Sequence, residues 1–251
     1  MMQAFFTLAR RELAGFFLSL SGYIIIAATT FLVGQGFVVL INSLGDEPYP
    51  LPVTEMFFIG QSFWLILILA APVITMRLFA LERYSGTFET LMTTPVRDLT
   101  VVLAKFTAAL VFYLVMWLPM LGCLFVVQHY ARQSGALAPG ALAGLYLGIT
   151  LIGALFIALG CFASAITRSQ TVAAILTLVL GVSVFALGYL ARDAEAALTW
   201  QSQLLGRFAF FEQMHDFARG IVDTRVVALY LSVTCFFLFL TLRAVESRRW
   251  R

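Results

Sequence analysis

Six charged side chains stand between Leu81 and Phe106: Glu82, Arg83, Glu89, Arg97, Asp98 and Lys105. Carboxylates and bases at this density can pair with one another or ring the rim of a docking surface. They do not form a catalytic set. The only histidines are His129 and His215, and neither lies in an H-E-x-x-H pattern. The chain has no G-x-S-x-G nucleophile turn and no G-x-x-x-x-G-K-[ST] loop to cradle a nucleotide phosphate. His215 and Asp216 are neighbours, and adjacent helical residues point about 100° apart, so they do not converge. Cys123, Cys161 and Cys235 form no C-x-x-C pair and read as small apolar fillers. No metal site is expected.

The punctuation around these charges predicts a short helix. Ser85-Gly86 ends one element, and Thr87 can cap the next by accepting from a free N–H in its first turn. Glu89 falls in that first turn, where the helix dipole favours a negative charge. Phe88, Leu91 and Met92 lie at i, i+3 and i+4 as an apolar stripe. Thr94-Pro95 stops the helix, and Asp98 is expected to cap the third span. The result is a helix of about two turns, with an apolar stripe and charged shoulders. Such a stripe suits lipid, or the groove of a soluble partner with salt links at the rim.

The elements that must position this helix lie in a bilayer. Of 251 residues, 61% are hydrophobic and 12% charged. The mean hydropathy is +0.95. A span needs about 20 apolar residues. Uncharged runs predict six, near residues 20–42, 56–77, 103–128, 139–166, 170–191 and 224–243, in a single domain covering 1–251. With the amino terminus inside, most of the 16 basic residues fall on the inner side, including Arg10, Arg11, Arg77, Arg83, Arg97 and Lys105. The first outer loop carries Asp46, Glu47 and Glu55 but no base, so both termini are placed in the cytoplasm. No cleavable signal peptide is evident. The net charge of +3 is spread over membrane flanks and does not suggest nucleic acid. No span carries a carboxylate, so no proton relay or buried ion pair of the kind ion-coupled carriers use is expected.

Two amphipathic segments flank this core. Phe5, Phe6, Ala9, Phe16 and Phe17 share one helical face, with Arg10 and Arg11 on the other. This reads as an interfacial helix rather than an extension of the first span, because Ser19, Ser21 and Gly22 offer a bend. Near the other end, 207–219 reads as an amphipathic helix on the outer surface or a shallow re-entrant one. Gly220 would terminate it, and Asp223 would cap the last span. Pro72 and Pro119 are expected to kink their helices. Residues 167–169 make a tight turn between two antiparallel spans. Small residues such as Gly153, Gly160 and Ser164 suit close helix packing or the lining of a path.

The run "ERYSGTFETLMTTPVRDLTVVLAKFTAAL" resembles the centre of ABC-2 type transporter permeases, which read E-x-x-x-G-T-x-E-x-L-x-x-x-P-V. The segments "RRELAGFFLSLSGYIIIAATTFLVGQGF" and "FFEQMHDFARGIVDTRVVALYLS" resemble the gliding-motility-associated branch. Where many relatives have a Ser-Pro pair after the paired Phe, this chain has "SLSGY". The resemblance implies an all-α permease subunit of the bacterial inner membrane. It would pair with a second copy or a related permease and with two ABC ATPase subunits that bind ATP and Mg. This chain would bind no cofactor and carry out no covalent chemistry. The helix Thr87–Thr94 would act as the coupling helix, with Glu82, Arg83, Gly86, Thr87, Phe88, Glu89, Leu91, Met92 and Pro95 at the ATPase. The amino-terminal helix would correspond to the connecting helix, with Phe5, Phe6, Arg10, Arg11 and Phe16 at the membrane interface.

The expected function is ATP-driven outward movement of a substrate. The alternative is a non-transporting mechanotransmitter or scaffold for an envelope machine, with a periplasmic or membrane-anchored accessory partner. An ion-coupled carrier is disfavoured by the absence of intramembrane charge.

Overall fold

In hydrocarbon every backbone group must be satisfied within the protein, so long apolar runs become helices. The computed structural model describes residues 2–44, 61–86, 96–131, 139–194 and 208–247, and the regular structure within them is helical throughout. The elements are α1 (Met2–Phe17), α2 (Leu20–Leu44), α3 (Gln61–Thr75), α4 (Ala80–Tyr84), α5 (Asp98–Met116), α6 (Leu118–Ala131), α7 (Pro139–Ile166), α8 (Gln170–Ala194), α9 (Phe210–Ala218) and α10 (Thr224–Glu246). Six segments are long and apolar enough to span a membrane: Leu20–Asn42, Ser62–Tyr84, Asp98–Val126, Pro139–Ile166, Gln170–Tyr189 and Thr224–Glu246.

Helix α7 is the axis of the bundle. It packs against α10, α8, α3, α9 and α5. Its small residues allow this. A Cβ added at Gly153 would sit 2.1 Å from the Tyr113 ring, and one at Gly160 would sit 2.1 Å from Thr75 Oγ1. The Tyr113 ring and the Thr75 side chain therefore fill the notches that these glycines leave, the packing that small residues allow where lipid supplies no hydrophobic drive.

The bends fall at identifiable residues. Between α1 and α2, Ser19 Oγ donates to Phe16 O at 3.0 Å and accepts from Gly22 N at 3.2 Å. A Cβ at Gly22 would lie 2.0 Å from Phe16 O, so the corner needs glycine. Pro119 separates α5 from α6, with Trp117 at the junction. Pro72 lies inside α3, which ends one turn later. Only Arg168 and its two neighbours turn α7 into α8.

The outer helix is shorter than expected, and it does more than rest on a surface. Phe210, Met214 and Phe217 of α9 join the hydrophobic core, and Phe217 O comes within 2.4 Å of where a Gly144 Cβ would be. Gly220 comes next at φ +82, and Asp223 Oδ1 accepts from Arg225 N at 2.8 Å as the cap of α10. Asp98 differs from expectation. The N-cap of α5 is Arg97, and Asp98 is the first helical residue, where its charge still faces the favourable end of the dipole.

Candidate functional site

The expected coupling helix, Thr87–Thr94, lies outside the described residues, and with it Thr87, Phe88, Glu89, Leu91 and Met92; Pro95 lies outside them too. The scaffold that leads into it is described. Helix α4 carries Glu82 and Arg83, and Gly86 stands beyond it at φ +72, a left-handed conformation that glycine adopts without Cβ strain.

Two sets of bonds hold α4. The first comes from α7. Ser164 Oγ accepts from the N–H groups of Phe79 and Ala80, each at 3.1 Å, and donates to Met76 O at 3.4 Å. Those N–H groups open α4 and have no partner within it, so a buried hydroxyl on a neighbouring span serves as their cap. Arg83 Nη1 donates to Thr167 O at 3.4 Å, at the tight turn after α7.

The second set is a charge cluster. Lys105, on α5, is 3% exposed, and its Nζ lies 2.9 Å from both Glu12 Oε1 of α1 and Glu82 Oε1 of α4. Arg11 closes the group, with Nη2 at 3.0 Å from Glu82 and 3.2 Å from Glu12. Two carboxylates and two bases cancel in charge. Lys105 Nζ also sits 5.5 Å from the Phe79 ring centroid. Phe16 stacks on Phe112 at 4.8 Å, and Phe17 meets the same ring edge-on at 5.4 Å, which seats α1 along α5.

This cluster is a group of ion pairs that spacing along the sequence does not show. Counting charges inside spans missed it because Glu12 and Glu82 lie outside the uncharged runs. Helices α1 and α4 carry those residues to Lys105. Their separations of 93 and 23 residues give no local signal. The amino-terminal residues divide accordingly. Phe16 is buried, Arg11 joins the cluster, Phe5 is half-buried, and Phe6 and Arg10 are exposed.

No group of three or more His, Cys, Asp or Glu side chains suited to a metal occurs among the described residues. Helix α4 is bonded to α1, α5 and α7 at once.

A family model described as ABC-2 family transporter protein matches residues 19–184, which is more than half of the chain. No curated protein matches it.

Proposed function

We propose that this chain, which belongs to the ABC-2 transporter family, is the membrane-spanning subunit of an ATP-driven exporter whose ATPase engages residues 87–94. Family membership implies association with ABC ATPase subunits. The observation that supports coupling through this segment is the anchoring of Glu82 by Lys105 and Arg11, both of which also hold Glu12. A push on the 87–94 segment is passed to α1 and α5 through that cluster and to α7 through Ser164. The transport cycle then consists of rigid helix movements between two such subunits, with the substrate moved outward.

The test uses the whole chain with its co-expressed ATPase. Leu91→Asp places a carboxylate in the partner's groove and leaves every span untouched. It should abolish co-purification of the ATPase and substrate-stimulated ATP hydrolysis at unchanged expression. Glu89→Ala should be mild, because an exposed rim charge contributes at most about 1 kcal/mol. If Leu91→Asp retains both activities while normally inserted, the segment lies on lipid and coupling runs elsewhere.

A further inference from the structure

A cavity of about 90 Å³ opens between α1 and the turn after α3, lined by Glu12, Gly15, Phe16, Arg77, Leu78 and Leu81. Its polar walls carry opposite charges. Both ion pairs made by Glu12 land on Oε1, so Oε2 has no hydrogen bond among the described residues. Arg77 donates to Ser21 Oγ and has no carboxylate within ion-pair distance among the described residues. Phe16 and Leu78 are buried and supply an apolar ledge. Gly15 has no atom within 4 Å of where its Cβ would be, so the absence of a side chain there leaves one wall open.

Its position narrows the ligand. Glu12 and Gly15 precede the first span, and Arg77 follows the last turn of α3 in the final third of the span-length segment Ser62–Tyr84, so the cavity lies toward the end of the bundle where α1 sits. A ligand that satisfies it carries a phosphate for Arg77, an N–H-bearing ammonium for Glu12 and methylenes for the ledge. We infer that the cavity is a headgroup site for a zwitterionic aminophospholipid of the phosphoethanolamine type, taken from the leaflet at this end of the bundle. A glycerol headgroup supplies the phosphate but meets Glu12 Oε2 only with a neutral hydroxyl, a weaker donor than an ammonium. A choline headgroup supplies charge but no N–H donor. The ligand would rest on the back of the charge cluster and pack α1 against α3.

The whole chain, reconstituted in bilayers with equal phosphatidylethanolamine and phosphatidylglycerol, is extracted and its retained lipid quantified by native mass spectrometry. The ethanolamine lipid should be enriched about tenfold, the scale of one charge-assisted hydrogen bond. Arg77→Gln should remove the enrichment, Arg77→Lys should keep part of it, and Gly15→Leu should remove it by filling the open wall. Equal retention of the two lipids in the unaltered protein overturns the inference without recourse to any variant. So does enrichment that persists in both Arg77→Gln and Gly15→Leu. Free phosphoethanolamine should fail to displace the lipid. Displacement by it would reassign the site to a soluble zwitterion and overturn the lipid reading.

Discussion

Lys105 holds a full charge at 3% exposure, which is tolerable only because two carboxylates meet it at 2.9 Å. Losing one member of a buried pair costs about 3–5 kcal/mol, since the others stay buried without compensation. Lys105→Met should therefore lower the thermal stability of the purified chain by an amount of that order. Arg11 is 58% exposed, so Arg11→Ala should cost less than about 1 kcal/mol. Adding Glu12→Gln and Glu82→Gln to Lys105→Met should recover much of the loss, because no net charge then remains buried. A triple variant no more stable than the single one would show that the cluster acts through packing. Tyr230 poses the opposite case. It is 1% exposed, and its hydroxyl has no hydrogen-bond partner among the described residues. Thr234, one turn on, does not close onto the carbonyl four residues back, as Thr29, Thr75, Thr177 and Thr241 do. Removing an unpaired hydroxyl removes a desolvation cost, so Tyr230→Phe should be neutral or stabilising by up to about 1 kcal/mol. A clear loss of unfolding temperature would mean that the hydroxyl is bonded in the folded protein.

At the scale of elements, the close approach of α9 to α7 is an exacting fit between helices distant in sequence. The contact at Gly144 is with the backbone carbonyl of Phe217, which no rotamer change can move aside. Gly144→Ala should push α9 outward and cost about 1–3 kcal/mol as overpacking, read as a lower unfolding temperature. Gly140→Ala is the control, because nothing lies within 4 Å of a Cβ there. The sequence shows the period of α9 and its end at Gly220, because amphipathicity and termination are local. It does not show which helix covers the apolar face. The same division holds at the site. The turn at Gly86 is legible from local chemistry, whereas the pairing of Glu82 with Lys105 and of Arg83 with Thr167 O is not. Ser164 reads only as a small packing residue, since its role as cap to Phe79 and Ala80 depends on an element 85 and 84 residues away.

At the scale of the whole molecule, the exposed apolar side chains carry no docking information. Phe31, Val39, Ile175, Leu231 and Phe236 are all at least half exposed, yet lipid tails are as apolar as they are. What the whole chain does constrain is sidedness. Among the described residues six span-length segments lie between α1 and the end of α10, and six crossings would return the chain to the side on which it began. The charge cluster joins α1 to α4 at that same end, so Arg11, Glu82 and Ser247 should share one aqueous compartment. The acidic, base-free 43–55 segment should face the other. Native Cys123, Cys161 and Cys235 all lie within span-forming helices, so a single new cysteine reports its own position. A cysteine at Asp46 should react with a membrane-impermeant thiol reagent in intact cells. One at Ser247 should react only after the membrane is opened. If Ser247 labels in intact cells while Asp46 does not, the bundle is inverted. The 87–94 segment would then face away from ATP, and no ATPase could reach it.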